Sequence, residues 1–350
     1  MKKFLVVLLS VSLSAGSAYG YGSPGHALVG AIADKRLEKN PAVAAKVKEL
    51  LHGLSLKQAA TLPDAIKNWD DPNPKTCNNT RFDNSPVTEA KQIEDDLRAF
   101  LKANLCSSHP SHHEFHYTDV PVFGDEDYDG GTVGREDFDI VKMIPFCIRV
   151  LKDQEPQPNN RAITKSVAVV LLAHYLGDIH QPLHVGAEYF DANGNAFEPT
   201  SPNEGFADQG GNKLTLFTFF NGKLTSAGKF HSYWDGQTVT NAFGSATSAT
   251  VAAKLAKSEP VHWKLSGGVE TWAKQMANEI LPVAREAHTR LAFSKVTTQP
   301  HHRDINGGDA KEKKPQPGGK FYAIWAADTV KEEIHKAGWR LAALLEAVLQ

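Results

Sequence analysis

The segment from position 174 to 184, HYLGDIHQPLH, constrains this chain more than any other because it concentrates strong metal ligands. On a helix, His174 and Asp178 lie four residues apart and share a face, so they can bind one cation together. Pro182 ends such a helix and lets His184 approach a second cation. A carboxylate can bridge two cations, and Asp178 is placed to do so. The segment therefore predicts a helix that ends in a zinc site.

Further histidines and aspartates along the chain extend this pattern. His231 and Asp235 repeat the four-residue spacing and predict a second helical turn with an imidazole and a carboxylate on one face. His116 stands between aromatic residues, and Asp64 follows a proline at a predicted helix start. These residues are candidate ligands for more than one metal ion.

The beginning of the chain has the pattern of a secretory signal. Lys2 and Lys3 precede a short apolar run, and small residues follow up to Gly20, which predicts cleavage after residue 20 and a secreted or periplasmic protein. Cleavage there would free the amine of Tyr21. That amine and the Tyr21 carbonyl could chelate a metal next to His26.

Charge and hydropathy argue against a basic nucleic-acid-binding surface and against a membrane protein. The chain has 38 basic and 40 acidic residues, a formal net charge of −2, so it lacks the basic surface of a typical nucleic-acid-binding domain. A phosphate substrate remains compatible with this balance, because bound metal ions would supply positive charge locally. After the signal, no segment approaches the roughly 20 apolar residues of a membrane helix. We expect a monomer with no membrane association and no stable protein partner.

The three cysteines, Cys77, Cys106 and Cys147, form an odd set in an oxidising compartment. We expect one disulfide and one buried thiol, and the sequence leaves the pairing open. No Cys-x-x-Cys spacing is present, so histidine and aspartate remain the expected metal ligands.

Apolar residues recur mostly at helical spacing, which predicts an all-α fold: a single helical domain over residues 21–350. Turn residues at Asn221-Gly222 predict one small β-hairpin from Lys213 to Thr225. Two stretches rich in Gly, Asn, Pro and charge, 186–211 and 297–319, are interpreted as surface insertions. The predicted helices span His26–Leu37, Pro41–Leu51, Glu89–Leu105, Asp137–Lys152, Arg161–Ile179, Glu270–Phe293 and Thr329–Val348.

Taken together, these motifs resemble the zinc-dependent, single-strand-specific nucleases of fungi, plants and bacteria, whose superfamily includes bacterial zinc phospholipase C. The resemblance extends from Tyr21 to the helix around Trp339. It implies three zinc ions per chain. By this resemblance one zinc is bound by Asp64, His116, His174 and Asp178, a second by His184, His231 and Asp235, and a third by the Tyr21 amine and carbonyl, His26 and Asp178.

The resemblance also implies an activity: hydrolysis of single-stranded DNA and RNA to products with 5′-phosphates, together with 3′-nucleotidase activity on 3′-mononucleotides. Asp64, Lys67 and Asp178 would be catalytic. Tyr117 would stack on a base, Asp119 would accept a hydrogen bond from its edge, and Lys67 would contact phosphate. Lys67 replaces the arginine typical of the family and can act only as a point charge.

Two other functions fit parts of the sequence. A zinc-dependent phospholipase C would share the metal scaffold, but its last ligand is usually Glu, whereas this chain has Asp235. A zinc-binding protein without catalysis would close its sites with four protein ligands, whereas the group ending in Asp235 supplies three. Both observations favour a nuclease. Other histidines are interpreted differently: His180 as orienting its neighbours, and His109, His112 and His113 as a loop cluster outside the ligand set.

Overall fold

A fully buried helix forms the centre of the molecule. The computed structural model describes residues 21–70, 85–106, 108, 110–244, 248–258, 260–299 and 303–350. In helix α7, Lys165–Asp178, every residue from Ser166 onward is buried. The Thr164 side chain caps its first turn by accepting from the Val167 N–H. A helix that is apolar on all sides needs neighbours on all sides, and α7 is accordingly enclosed by the other helices.

The predicted helices are present with small shifts at their ends. Asn40 and Asp139 cap two of them through their side chains, as expected for these residue types. The helices are α1 Gly22–Leu37, α2 Pro41–Leu50, α3 Leu56–Ala59, α4 Leu62–Ala65, α5 Lys91–Ala103, α6 Ile140–Leu151, α7, α8 Phe230–Ser232, α9 Thr238–Phe243, α10 Ser248–Leu255, α11 Trp272–Thr289 and α12 Tyr322–Val348.

Glycines allow α1 to approach its neighbours closely. A Cβ at Gly338 of α12 would lie 2.6 Å from the Ile32 Cβ, so only glycine permits this approach of α1 and α12. A Cβ at Gly177 of α7 would lie 2.7 Å from the His26 Nδ1. The His26 ring therefore rests on the backbone of α7, one residue before Asp178.

Strands form a second layer that is larger than the predicted hairpin. The predicted hairpin is confirmed as strands β5, Leu214–Phe220, and β6, Lys223–Lys229. Strand β8, Asp304–Glu312, lies parallel to β5 on its other side. Strand β7, Leu291–Gln299, pairs with β8 in antiparallel orientation. β3 and β4 extend this sheet to six strands, and β1 pairs separately with β2. The strands are β1 Val120–Pro121, β2 Gly186–Ala187, β3 Tyr189–Phe190, β4 Phe206–Ala207, β5 Leu214–Phe220, β6 Lys223–Lys229, β7 Leu291–Gln299 and β8 Asp304–Glu312.

The expectation of an all-α fold is therefore only partly met. About 51% of the chain is helical and 13% is in strands, which is mixed content with helices predominant. Residues 297–312, expected to be irregular, contain the end of β7 and all of β8, and residues 291–293 begin β7 rather than ending a helix. β8 has the sequence DINGGDAKE, with low intrinsic strand preference. Its neighbours β5 and β7 decide its conformation, and a Cβ at Gly308 would lie 2.9 Å from the Val296 Cγ2.

The other predicted insertion is half core and half surface. Residues 186–190 are all buried, whereas residues 191–206 are exposed or half-buried except at position 199. The first part is thus continuous with the buried segment 174–184 and not an addition to it.

The predictions for the cysteines and for the signal are tested only within the described residues. Cys147 is a buried free thiol, and burial raises its pKa. Cys77 and the predicted signal, residues 1–20, lie outside the described residues. Among the described residues, no helix is both long and apolar enough to cross a membrane.

Candidate metal centre

Asp178 lies at the centre of a buried group of imidazoles. Its Oδ1 is 3.2 Å from the His26 Nε2, and its Oδ2 is 3.1 Å from the His174 Nε2 and 2.9 Å from the His116 Nδ1. Two ligands that each lie about 2.1 Å from a tetrahedral zinc ion are about 3.4 Å apart. These atoms therefore have nearly the spacing of zinc ligands, and both oxygens of Asp178 take part.

Asp64 joins the same group from α4. Its Oδ1 is 3.5 Å from the His174 Nε2, and its Oδ2 is 4.0 Å from the His26 Nε2. The Lys67 ammonium, one helical turn later, is 3.0 Å from the Asp64 Oδ1. A cation-binding carboxylate and a fixed positive charge thus lie side by side at the edge of the group.

A second group of ligands lies at the other end of the segment 174–184. The His231 Nε2 is 3.4 Å from the Asp235 Oδ2, and the His184 and His231 rings have centroids 4.8 Å apart. His231 lies in α8, whereas Asp235 lies in a π-helical turn, Tyr233–Gln237, rather than in the regular helix expected from the spacing. The buried Gln181 amide donates to the Asp235 Oδ1 at 2.9 Å and orients that carboxylate.

Backbone carbonyls orient the rings of both groups. The Nδ1 of His174 is 2.8 Å from the Ala60 O, that of His184 is 2.9 Å from the His116 O, and that of His231 is 2.7 Å from the Gly210 O. With the N–H at Nδ1, the Nε2 lone pair points into the centre. This is the arrangement that positions metal-binding histidines in proteins.

Several buried polar atoms in the two groups have no hydrogen-bond partner, although such atoms are usually satisfied. Leaving each one unpaired costs about 1–3 kcal/mol. Apart from the His26 Nδ1, which lies against Gly177, these atoms belong to residues whose ligand atoms lie within 4.8 Å of one another in each cluster, so the residues fit divalent cations there. The unpaired atoms are both ring nitrogens of His26, the Asp64 Oδ2, the Asp178 Oδ1, the His184 Nε2 and the Asp235 Oδ2.

Burial lowers the pKa of a histidine ring and raises the pKa of a carboxyl group. It lowers the pKa of His231 to about 3, and it lowers the pKa of His116 well below the usual range. These two imidazoles are therefore neutral at pH 7 and can donate a lone pair. Burial raises the pKa of Asp235 well above its ordinary value. Burial opposes ionisation of Asp178 too, but the surrounding histidines hold its pKa well below its usual range.

The start of the described chain lies against the same centre. The Tyr21 side chain is fully buried and its hydroxyl donates to the His180 O at 2.6 Å. The neighbouring Gly22 is close to the Asp235 backbone, since a Cβ there would lie 3.1 Å from the Asp235 O. Beside it, the His180 ring accepts from Arg340, so His180 connects the chain start to α12.

The predicted substrate residues lie beyond His116. Tyr117 is 38% exposed, so part of this aromatic residue is accessible to solvent. Burial and the nearby carboxylates of Asp208 and Asp304 raise the pKa of Asp119 to about 7. The peptide oxygen of Asp119 accepts from the Tyr189 hydroxyl at 2.9 Å, which ties this segment to β3.

Two features of the site were missed in the sequence. Gln181 stands inside the motif, but an amide between two metal-ligand candidates gives no spacing signal. His112 was interpreted as part of a loop cluster. Its side chain is only 1% exposed, however, and its Nε2 lies 3.4 Å from the Asp70 Oδ2. Asp70 and His112 are far apart in the chain, so only the fold reveals their proximity.

The helical fold brings together clusters of buried imidazoles and carboxylates that could bind metal ions. A family model described as S1/P1 Nuclease matches residues 21–350. The chain therefore belongs to the S1/P1 nuclease family of zinc-dependent, single-strand-specific nucleases. Comparison with curated proteins gives no match.

We expect the metal-free protein to lose stability as the pH falls from about 6.5 to 4.5. The pKa values of His26, His116, His184 and His231 are lowered by burial, so the unfolded chain takes up protons in this range that the folded chain does not. Within the site, the raised pKa values of His174, Asp119 and Asp235 oppose the trend, which is three groups against four. Each ring contributes up to about 1.4 kcal/mol per pH unit.

The measurement is the free energy of unfolding in denaturant at several pH values with a chelator present. His231→Gln removes one of the four rings and should give a shallower slope. A free energy of unfolding that is constant or rises as the pH falls through this range would contradict the expectation.

Proposed function

We propose that this protein is a secreted phosphodiesterase with three zinc ions in its catalytic centre. It hydrolyses single-stranded DNA and RNA to products with 5′-phosphates, and it removes phosphate from 3′-mononucleotides. Membership of the S1/P1 nuclease family supports the nuclease activity. The observation that carries the proposal is the pair of ligand groups on either side of Asp178, with unpaired buried atoms in both.

The ligand distances support a division of the metals. Asp64, His116, His174 and Asp178 would bind one zinc ion, and His184, His231 and Asp235 a second. Signal cleavage would allow the Tyr21 amine and carbonyl to bind a third with His26 and Asp178. Zinc bound there would polarise the phosphate and lower the pKa of a bound water to about 7.

The residues of the chain account for the remaining catalytic requirements. Asp178 would hold two metal ions at a fixed separation because both of its oxygens face imidazoles. Lys67, positioned by Asp64 at 3.0 Å, would bind a non-bridging phosphate oxygen as a point charge. Gln181 would keep Asp235 in its binding orientation. The group ending in Asp235 has three protein ligands, which leaves a position for the substrate.

Recognition of single strands would depend on Tyr117. Its exposed ring offers a surface for a base, and base–aromatic stacking contributes about 1–3 kcal/mol. A base must leave the duplex stack to reach this ring, which favours single strands. Asp119, whose carboxyl lies among other carboxylates, would accept from the edge of the stacked base.

The two other functions from the sequence are less well supported. Phospholipase C shares this metal scaffold, but family membership and Asp235 favour a nuclease. A non-catalytic zinc protein would not need the exposed Tyr117 beside the centre or a group of only three ligands. We propose a monomer, a single domain over residues 21–350 and no stable protein partner.

An activity panel tests the proposal. With zinc, the mature protein, residues 21–350, should hydrolyse single-stranded DNA, RNA and 3′-AMP but not phosphatidylcholine in micelles, and a chelator should abolish hydrolysis. His231→Gln should reduce the rate more than about 100-fold, because even the outer partners of metal ligands are worth about 10–100-fold. It should also bind one zinc ion fewer.

The matched control is His262→Gln, which replaces an exposed histidine far from the ligand set in sequence. It should retain both the rate and the metal content. Turnover of phosphatidylcholine alone would support the phospholipase, and no turnover of any substrate with zinc bound would rule out an enzyme.

Processing at residue 20 can be tested directly. An added methionine before Tyr21 converts the chelating amine into a peptide nitrogen, which is a poor zinc ligand. This variant should bind one zinc ion fewer than the mature protein and lose most activity, as measured by elemental analysis and nuclease assay. An extra residue after Gln350 is the control and should change neither. Equal metal content in both extended proteins would exclude the chain start as a ligand.

Stacking on Tyr117 predicts a specific kinetic pattern. Tyr117→Ala should raise KM for single-stranded DNA about 5- to 100-fold, corresponding to the loss of 1–3 kcal/mol, whereas Tyr117→Phe should retain most affinity. Zinc content should be the same in both variants. If alanine and phenylalanine had equal effects, the role of the ring as a stacking surface would be ruled out.

A further inference from the structure

A further group of possible ligands lies outside the ligand set described above. Asp70, His112 and His113 bring one carboxylate oxygen and two imidazole nitrogens together. The Asp70 Oδ2 is 3.4 Å from the His112 Nε2 and 3.9 Å from the His113 Nε2. These separations are close to the spacing of about 3.4 Å between ligands of a tetrahedral zinc ion. They match the 3.4 Å between His231 and Asp235.

The group is buried and incompletely satisfied. The Asp70 side chain is 0% and the His112 side chain 1% exposed, whereas the His113 side chain is 17% exposed. Both ring nitrogens of His112 and the Asp70 Oδ1 have no hydrogen-bond partner. The Asp70 Oδ2 accepts from the Cys106 backbone N–H, which fixes the carboxylate. A buried imidazole with two unpaired nitrogens is costly unless something binds it.

A simple ion pair does not account for this arrangement. The 3.4 Å between the Asp70 Oδ2 and the His112 Nε2 is longer than the roughly 2.7–2.9 Å of a charge-assisted hydrogen bond. Neutral imidazole and carboxylate are the forms that bind a divalent transition metal. The partial exposure of His113 leaves a route for a water ligand or for exchange of the ion.

We propose that Asp70, His112 and His113 form a fourth metal site that binds zinc and has a structural role. Asp70 directly follows the 3₁₀ helix Ile66–Trp69, which carries Lys67. The two histidines begin the 3₁₀ helix His112–His116, which ends at a ligand of the main centre. An ion at this site joins these two segments and stabilises the folded chain.

The fourth ion should bind more weakly than the ions of the main centre. In that centre, His174, His184 and His231 each place the second ring nitrogen near a backbone carbonyl, whereas His112 has no such partner. Loss of such an outer partner typically costs about 10- to 100-fold in metal affinity. Stepwise chelation should therefore remove one zinc ion first, while most nuclease activity remains.

Elemental analysis of the mature protein tests the site. We expect four zinc ions per chain, three in the His112→Gln and His113→Gln variants, and four in the His262→Gln control. His113→Gln alters the more exposed ring and so carries less risk of misfolding. Zinc should raise the Tm of the chelated mature protein further than it raises the Tm of either variant. Anomalous scattering from cobalt-substituted crystals should place a peak between Asp70 and His112.

The outcomes separate this site from the proposed nuclease centre. Loss of one zinc ion with most activity retained supports the fourth site, whereas His231→Gln should lose one ion together with activity. Three ions in the mature protein, unchanged in both variants, would refute the fourth site and leave the nuclease centre intact. A metal count that also falls in His262→Gln would indicate binding to surface histidines and would equally overturn the proposal.

Discussion

The structure depends on the placement of one ionised carboxylate, Asp178, in the interior. An isolated buried carboxylate is expensive, and a protein retains one only by surrounding it with compensating groups. Here the compensation comes from imidazoles: His26, His116 and His174 lie within 3.2 Å of its oxygens. Burial lowers the pKa values of His26 and His116, so these two rings are uncharged and cations would complete the compensation. The charge of Asp178 must be compensated for the core to be stable, and the groups that compensate it are also the candidate groups for catalysis.

An apolar helical scaffold and a few fixed backbone carbonyls hold the imidazoles around Asp178. Helix α7 supplies rigidity, because every one of its side chains beyond the first is buried. Ala60, His116 and Gly210 supply carbonyl oxygens that turn imidazoles inward. The ligands come from segments spread over most of the chain. Metal binding therefore selects the fully assembled fold over partly folded states, which lack a complete ligand set.

A structural feature could be predicted from the sequence when the residues that indicate it lie within one helix or strand. The helices around His174 and in α1 were predicted correctly, because ligand spacing and apolar periodicity lie within one element. Strand β8 was not, because its glycine-rich sequence follows the neighbouring strands rather than its own preference. The π-helical turn at Asp235 was also missed, although its ligand atoms still meet those of His231. Asp70 and His112 could not be paired, because no sequence interval relates them.

Gly177 shows how closely the scaffold and the site are fitted to each other. Glycine within a helix usually costs about 1 kcal/mol relative to alanine, and its replacement is a standard means of improving thermostability. At this position the missing methyl group is the space that the His26 ring occupies. A consensus or computational redesign that scores helix preference alone would select alanine here and displace the His26 ring. Engineering for industrial robustness should therefore hold this glycine constant.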